Sequence, residues 1–386
     1  MNGVASAINS PVSLYIHLPW CLHKCAYCDF NSHATQLNEF PEDVYLERLI
    51  SDLSQSVSLI QARKVQSIFI GGGTPSLFTP ESIYKILSAC HQFTDVSQAC
   101  EITLETNPGT FEYQKFSEFL AAGVNRISIG VQSFNNRYLK VLERVHDRQQ
   151  AIAAIETANQ IGFENINADL MFGLPEQAID HAAEDVMMAC RLPLTHVSYY
   201  QLTLEPNTLY HRFPPTLPDE DTNWAIQNQG EEILTKHGFE QYEVSAYALN
   251  NMQSLHNTNY WQFGDYLGVG AGAHSKLTTH EGIIRHQRTR QPNSYIQAVA
   301  LGTHIVQQHQ VDTASLIFEF MLNNLRLTKG FSRENFTYFT GLNWPLVEAK
   351  IQSLLDEELL EQSDGMYRAS TRGYQLLDEL TQRFLP

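Results

Sequence analysis

The sequence predicts an α/β fold, in which a parallel barrel of six strand–helix units precedes a smaller, mostly helical domain. Two observations carry this prediction. Over the first two-thirds of the chain, short β-rich runs alternate with amphipathic helical stretches, an order typical of βαβ units in a parallel sheet. From about residue 312 onward the alternation stops, and the order of elements resembles a winged helix.

The six predicted strands are short and rich in β-branched and aromatic residues. They are VSLYIHLP (12–19), QSIFIGGG (66–73), CEITLETNP (100–108), VNRISIGVQS (124–133), NINADLMFG (165–173) and THVSYYQLTLEP (195–206). The helical stretches between them lie at 41–62, 80–91, 111–122, 148–161 and 180–191. Six units of this kind form either an open barrel or a doubly wound sheet.

Polar or glycine residues end nearly every predicted strand, and this regularity favours the barrel. They stand at 71–74, 105–107, 132–133, 169 and 201. A parallel barrel places its ligand site at the carboxyl ends of its strands, so we interpret these residues as one ring of ligand-binding groups. Turn chemistry alone explains the glycines and Asn107, but it explains Gln132 and Asp169 less well.

We predict three parts of the chain: a barrel at 1–248, a connecting segment at 249–311 and a carboxy-terminal domain at 312–386. The connecting segment contains many Asn and Gly residues and shows little helical period, so we expect a loop-rich region. Winged helices often bind DNA. In the carboxy-terminal domain, the segment that would contact DNA carries acidic residues, which repel phosphate. We therefore interpret this domain as a packing module. The acidic residues are Glu348, Asp356, Glu357 and Glu358.

Composition narrows the class of protein. The 386 residues carry a formal net charge of −17, which argues against nucleic acid as a partner. No apolar run reaches the roughly 18–20 residues that cross a bilayer. The amino-terminal residues lack the basic and apolar regions of a signal peptide, so we expect a cytoplasmic protein.

Three cysteines stand close together at the end of the first predicted strand, with the spacing C-x3-C-x2-C. They are Cys21, Cys25 and Cys28. Structural zinc takes four protein ligands, and His17, His23 or His33 could supply the fourth. Iron–sulfur clusters are also held by cysteine thiolates, and a four-iron cube on three cysteines leaves one iron free for a small-molecule ligand.

The context of the cysteines resembles the radical S-adenosylmethionine superfamily. Tyr27 precedes the last cysteine, and GGGTPS (71–76) follows the next strand, as the glycine-rich segment of that superfamily does. YIHLPWC, GVQSFN and DLMFGLPEQ, in family order, narrow the resemblance to the coproporphyrinogen dehydrogenase-like group over nearly the whole chain. The resemblance implies a partial (β/α)6 barrel of radical S-adenosylmethionine type, a 4Fe–4S cluster and S-adenosylmethionine as cofactors.

The same resemblance implies roles for single residues. Cys21, Cys25 and Cys28 would bind the cluster, with Tyr15 and Tyr27 beside it; Gly72, Gly73 and Thr74 would meet the methionyl moiety; Glu105, Gln132, Arg144 and Asp169 would surround the cofactor. Two of these have structural alternatives, a surface ion pair for Arg144 and a strand-end cap for Asp169. No residue is assigned as catalytic, and Cys90, Cys100 and Cys190 receive no role.

Two features separate a haem carrier from an enzyme within that group. The arm before Tyr15 is short, and Phe30 stands where the dehydrogenase resembled here has a further cysteine. The stretch HNTNYW (256–261) matches a motif of the haem-chaperone branch, so the resemblance implies His256 as a haem ligand, an imidazole being a common axial ligand. His274, in GAGAHS, is the rival and could instead face the cofactor.

We therefore expect a haem chaperone of radical S-adenosylmethionine type that transfers haem to respiratory haem proteins. Its expected partners are haem, the recipient protein, an electron donor and, transiently, the cytoplasmic membrane. The alternative is an oxygen-independent coproporphyrinogen III dehydrogenase, an activity that Phe30 and the short arm argue against. A zinc-loop scaffold without redox chemistry is a third hypothesis.

Overall fold

A computed structural model of the chain describes residues 7–36, 39–109 and 114–386. Its strands are β1 Val12–Leu18, β2 Trp20–Cys21, β3 His33–Ala34, β4 Lys64–Gly72, β5 Asp95–Thr106, β6 Arg126–Gln132, β7 Asn165–Phe172, β8 His196–Gln201, β9 Glu240–Glu243, β10 Ala246–Ala248, β11 Asp265–Val269, β12 His274–Thr279, β13 Gly282–Arg288, β14 Ile305–Gln310, β15 Phe331–Ser332, β16 Leu360–Ser363 and β17 Met366–Ala369. Its α-helices are α1 Glu42–Ser56, α2 Pro80–Phe93, α3 Phe116–Ala121, α4 Asn136–Val141, α5 Arg148–Ile161, α6 Ile179–Arg191, α7 Leu209–Arg212, α8 Glu220–Lys236, α9 Leu255–Trp261, α10 Pro292–Leu301, α11 Thr313–Asn324, α12 Arg333–Thr340, α13 Pro345–Asp356, α14 Thr371–Gln375 and α15 Leu377–Gln382.

The six predicted strands form the centre of one twelve-stranded sheet. β1, β4, β5, β6, β7 and β8 lie side by side in this order, and each neighbouring pair is parallel. β10 and β9 extend one edge in antiparallel fashion. On the other edge β11 pairs in parallel with β1, and β12, β13 and β14 continue from it antiparallel. The predicted α/β fold with a partial parallel barrel is confirmed.

The predicted helices are present between these strands. Four of them match closely, and α1 continues into a 3-10 turn at Val57–Ile60. The helix expected at 111–122 is shorter, since α3 covers Phe116–Ala121, and residues 111–113 lie outside the described part of the chain. Apolar helix residues such as Ile86 and Ile155 share one buried core with strand residues such as Ile68.

Alternate strand residues face opposite sides of the sheet, and this alternation creates a polar barrel interior. In β1 the buried Leu14 and Ile16 belong to the hydrophobic core, whereas Ser13 is buried among polar groups and bonds to Ser67 of β4. In β5 the residues that alternate with Ile102 and Leu104 include Glu105. The site residues therefore belong to the polar set that alternates with the core set.

The prediction of a loop-rich segment at 249–311 is wrong. This segment contains helices α9 and α10 and strands β11 to β14, so much of it belongs to the main sheet. Its elements are short, and α9 spans only seven residues. A stretch of sequence long enough to reveal a helical period of apolar residues therefore covers more than one element and shows no clear period. Tertiary pairing, in particular β11 with β1, supplies the order that local pattern lacks. The three domain boundaries themselves stay a prediction.

A buried ion pair ties this segment to the first helix of the barrel. The Asp52 carboxylate of α1 accepts hydrogen bonds from Arg288 Nε at 2.7 Å, Tyr295 Oη at 2.7 Å and the Gly270 amide at 3.2 Å. Both members of the ion pair are fully buried. Because breaking a buried pair typically costs about 3–5 kcal/mol, the network holds the 270–274 turn firmly beside the end of β1.

The carboxy-terminal part has its own small sheet and core. β15, β17 and β16 pair antiparallel, and α11, α12 and α13 pack with them around Phe320, Phe336 and Trp344. The order of helices and strands, with Asp364 and Gly365 in the turn between β16 and β17, is that of a winged helix. The predicted smaller, mostly helical domain is confirmed.

Candidate functional site

The three clustered cysteines lie on a loop that leaves the carboxyl end of β1. The short strands β2 and β3 pair in parallel and pin both ends of this loop, with Trp20 opposite His33. All three thiols line a cleft of about 130 Å³ at the mouth of the barrel. Residues far apart in sequence therefore meet one cysteine loop at the strand ends, as the barrel predicted.

Polar groups lie close to the thiols of Cys25 and Cys28. Arg144 Nη1 lies 3.7 Å from the Cys25 sulfur, and the Ser32 hydroxyl lies 3.7 Å from the Cys28 sulfur. Burial raises the pKa of the Cys21 thiol to about 11. In the described part of the chain no three His, Cys, Asp or Glu side chains are arranged to hold a single metal ion. The three cysteines are candidate ligands because they are thiols and share one cleft.

The glycine segment lies against the chain that leads into the cysteine loop. The Gly73 amide donates to Leu18 O at 2.8 Å, and the Thr74 amide donates to Trp20 O at 2.7 Å. A Cβ at Gly73 would lie 2.5 Å from Trp20 O, and Gly72 has φ +121°. Only glycines fit here, and they leave bare backbone on the wall of the cleft.

Two carboxyl groups, those of Glu105 and Asp169, also line the cleft. Glu105 Oε2 accepts a hydrogen bond from the Gly72 amide at 3.1 Å, and Asp169 Oδ1 accepts one from Asn167 Nδ2 at 2.8 Å. Burial, followed by the nearby charge of Asp169, raises the pKa of Glu105 to about 7. Burial also raises the pKa of Asp169. Asp169 lies within β7, so it is no strand-end cap.

Substitution of Glu105 by glutamine should change how stability depends on pH. A carboxyl group whose pKa rises on folding binds its proton more tightly in the folded state than in the unfolded state. Its contribution to the free energy of unfolding is therefore lost as the pH rises from the ordinary pKa of a glutamate toward the raised pKa of about 7. The free energy of unfolding is measured with urea near pH 5 and near pH 8. Between these two pH values it should fall by about 2–3 kcal/mol more in the wild type than in Glu105→Gln.

The control for this measurement is Glu156→Gln, because Glu156 is exposed on helix α5. Its pH dependence should match that of the wild type. Equal pH dependence in Glu105→Gln and the wild type would contradict the raised pKa of Glu105.

Arg144 lies inside the cleft, and the alternative of a surface ion pair is wrong. Its Nη2 donates to Asn107 Oδ1 at 2.6 Å and to Gly130 O at 2.8 Å, while Nε is buried without a hydrogen-bond partner among the described residues. Gln132 has φ +68°, and its Oε1 accepts from Tyr200 Oη at 2.9 Å. A buried guanidinium donor without a partner marks a place where an anionic ligand group could bind.

A second and larger cavity of about 800 Å³ opens beside the cleft. Three residues, Phe30, Gly72 and Glu105, line both spaces, so the two adjoin. Much of its remaining wall is aromatic: Tyr15, Phe69, Tyr260, Trp261 and Tyr266. Such a space, mostly apolar with a few polar groups, is typical of a site for an organic ligand.

His256 lines this larger cavity from a helix, so the expectation that HNTNYW forms a loop is wrong. The Ser254 hydroxyl caps α9 by accepting from the Asn257 amide. The Glu101 carboxylate of β5 accepts from the Leu255 amide at 2.9 Å and the His256 amide at 3.0 Å. A carboxylate from a distant strand thus satisfies the first amides of a helix that is too short to form by itself.

One nitrogen of the His256 ring is held by Ser67. The Ser67 hydroxyl donates to Ser13 Oγ at 2.7 Å, and its oxygen lies 3.2 Å from His256 Nδ1. Since the Ser67 proton is committed to Ser13, the Nδ1–H of His256 donates to Ser67, and Nε2 keeps its lone pair. Burial, followed by the charge of Arg126, lowers the pKa of His256 to about 3. The imidazole is therefore neutral and can act as a ligand.

The structure brings the predicted site residues to two adjoining places. The cleft receives Cys21, Cys25, Cys28, Tyr27, Gly72, Gly73, Thr74, Glu105, Gln132, Arg144 and Asp169. Tyr15 and His256 line the larger cavity instead, together with the rival His274, which is exposed at the start of β12. Gln201, counted among the strand-end groups, lines neither space.

Sequence reasoning assigned no role to several residues of these walls. Asn107 bonds both Arg144 and Thr74. The sequence placed it among the strand-end groups, where turn chemistry was also a sufficient explanation, and it received no individual role. Tyr200 could have been found from its place near the end of the sixth strand. No local signal marked Arg285 and Arg290, which line the larger cavity from the segment predicted as loop.

Comparisons with known proteins place the chain among related sequences. Residues 15–189 match the Radical SAM superfamily and residues 311–376 match the HemN C-terminal domain. The chain is 43% identical over 376 residues to "Heme chaperone HemW" of Escherichia coli (strain K12), covering 97% of this chain and 98% of that protein. It is 33% identical over 384 residues to "Heme chaperone HemW" of Bacillus subtilis (strain 168), covering 97% and 99%.

A solved structure has the same fold. Coproporphyrinogen III oxidase (HemN) from Escherichia coli, described as a radical SAM enzyme, superimposes with a TM-score of 0.83, covering 99% of this chain and 92% of that chain. The two sequences are 21% identical, so this likeness concerns the fold alone.

Proposed function

Because the chain belongs to the HemW family of haem chaperones, within the radical S-adenosylmethionine superfamily, we propose that it binds haem in the larger cavity and transfers it to haem proteins. The family expected from the sequence is confirmed by these relatives. One observation carries the proposed site: the half-buried, neutral imidazole of His256 and several aromatic rings line a cavity that adjoins the three-cysteine cleft.

The cleft suits a 4Fe–4S cluster and S-adenosylmethionine. Cys21, Cys25 and Cys28 would hold the cluster, since three thiols share this cleft. The bare backbone at Gly72 and Gly73 would meet the methionyl group of the cofactor. When bound, such a cluster supplies the electron for reductive cleavage of the cofactor's sulfonium.

Other residues of the cleft would orient the cofactor. The buried Nε of Arg144, which has no partner in the described part of the chain, would bind the cofactor's carboxylate. Asp169 and Gln132 would accept or donate hydrogen bonds at its ribose and adenine ends. Glu105 and Tyr27 line the same cleft, where Glu105 would attract the cationic groups of the cofactor and Tyr27 would flank the cluster. These assignments rest on the donor and acceptor chemistry of each wall.

Haem would bind through His256. Its Nε2 carries the lone pair because Ser67 fixes the proton on Nδ1, an arrangement that favours coordination to a metal. Tyr15 and Phe69 lie against the same ring, with centroids 6.4 Å and 5.0 Å from that of His256. Aromatic walls of this kind stack well on a flat macrocycle.

The partners follow from the same proposal. A haem chaperone needs a recipient haem protein, here expected among the respiratory proteins, and a cluster needs an electron donor. We place the protein in the cytoplasm, with transient association with the membrane where such recipients lie. Within the described ranges, no helix combines the length and the apolar character of a membrane span.

The proposal is tested by offering the reconstituted protein both haem and coproporphyrinogen III. We expect stable haem binding and no protoporphyrinogen in the presence of S-adenosylmethionine and a reductant, because Phe30 stands where the dehydrogenase has a further cysteine. Haem is followed by its absorbance and the porphyrinogens by chromatography. Conversion of coproporphyrinogen III over multiple turnovers would contradict the proposed chaperone function and support the dehydrogenase activity instead. The chain shares its fold with a coproporphyrinogen III oxidase.

A further inference from the structure

The larger cavity carries an uneven set of charged groups. Arg285 and Arg290 are its guanidinium groups, and Asp29 and Glu105 are its acids. Its imidazoles are those of His17, His256 and His274. A flat, neutral macrocycle would need none of these cations. Their place in an otherwise aromatic wall raises the question of which ligand group they meet.

Arg285 is already paired within the protein. Its Nη2 donates to Glu319 Oε2 at 2.6 Å, and its Nη1 donates to Tyr266 Oη at 2.7 Å. The ion pair neutralises its charge, and both ends of its planar fork are engaged. Arg285 therefore shapes the wall and holds Tyr266 in place, and it offers little to a ligand.

Arg290 differs from Arg285 because its backbone is held by a hydrogen bond while its guanidinium group has no partner among the described residues. Asn31 Nδ2 donates to Arg290 O at 2.8 Å and to Ala271 O at 2.9 Å, which joins the residue to the cysteine loop and to the turn before β12. Across the described residues, the guanidinium of Arg290 has neither an ion pair nor a hydrogen bond. A fixed backbone with an unpaired planar cation at a cavity is suited to bidentate capture of a carboxylate.

We propose that Arg290 binds a carboxylate side chain of the macrocycle, so that the larger cavity selects carboxylate-bearing tetrapyrroles. This inference rests on the proposed function, and it assigns the two chemical ends of the ligand to different residues. His256 meets the metal at the centre of the ring, and Arg290 meets a carboxylate at its edge. Asp29, the exposed acid of the same wall, disfavours a second anion close to it.

The two contacts can be separated with three ligands and two variants. Haem has both iron and carboxylates, haem dimethyl ester has the iron without free carboxylates, and protoporphyrin IX has the carboxylates without iron. Full-length reconstituted protein is titrated with each ligand, as wild type, Arg290→Gln and His256→Ala. Arg191→Gln is the matched control, because Arg191 is exposed on α6 and lines neither space.

We expect Arg290→Gln to weaken binding of haem and of protoporphyrin IX about tenfold, as for the loss of one charge-assisted pair, and to leave the diester unchanged. His256→Ala should weaken haem and the diester and leave protoporphyrin IX unchanged. Equal affinity of Arg290→Gln and the wild type for haem overturns the role of Arg290 while the proposed function stands. A wild type that binds none of the three ligands overturns both.

Discussion

Cys25→Ser should remove nearly all iron and sulfide from the reconstituted protein. A cluster on three cysteines depends on each of them, and serine oxygen is a poor substitute for a thiolate toward iron–sulfur clusters. We expect non-haem iron, counted after haem iron is subtracted, to fall from about four atoms per chain to less than about one, with loss of the brown absorbance of the cluster. Iron, acid-labile sulfide and bound haem are measured on the same sample.

The haem content of Cys25→Ser separates the two sites. His256 lies on α9 in the larger cavity and Cys25 in the cleft, so haem binding should largely survive. Cys190→Ser is the control, since Cys190 is half-buried on α6 and lines neither space. A full cluster in Cys25→Ser would contradict the ligand assignment, and loss of iron in Cys190→Ser would point to general misfolding.

His256→Ala should weaken haem binding by roughly tenfold to a hundredfold or more and change the spin state of the iron. Loss of groups that merely orient a metal ligand typically costs 10–100-fold in metal affinity, and loss of the ligand costs at least as much. Iron and sulfide of the cluster should stay at wild-type levels, because His256 does not line the cysteine cleft. Haem titration and the absorbance spectrum of the bound haem provide the measurement.

The dependence on pH sharpens this test. Burial lowers the pKa of His256 to about 3, so protons do not compete with iron for this ring above about pH 4. The spectrum of the haem-loaded wild type should therefore stay constant from about pH 8 to about pH 5. The exposed His274 is the matched control, and His274→Ala should leave the absorbance spectrum of the bound haem unchanged. An unchanged spectrum in His256→Ala, with loss in His274→Ala, would transfer the ligand role to His274.

Local pattern was sufficient for the barrel and for the cysteine loop. Alternation of β-rich runs with amphipathic stretches is a property of neighbouring residues, and parallel pairing of β1 and β4 to β8 follows from it. Because all parallel strands end at one face, the polar residues that follow them meet there whatever the details of packing. Most of the cleft, including Glu105, Gln132 and Asp169, could therefore be placed from the sequence.

The family resemblance implied that Arg144 surrounds the cofactor, but local pattern predicted neither its contacts nor the helix of His256. Arg144 follows α4, and only its bonds to Asn107 and Gly130 bring it into the cleft. α9 is too short to show a period, and it is completed by Glu101, more than a hundred and fifty residues earlier. Interactions over such separations leave no trace in a local window, so the sequence indicated a loop.

The sequence by itself determined the family, the barrel and the residues at its strand ends, since each depends on spacing along the chain. Only the tertiary structure decided that a second cavity adjoins the cleft, and that His256 and Arg290 both line it. The walls of that cavity include residues of β1, β4, α9 and the strands β11, β12 and β13, which extend the sheet beyond β1. A cavity is the space left between elements brought together by packing, and its lining is set by folding rather than by any one stretch of sequence.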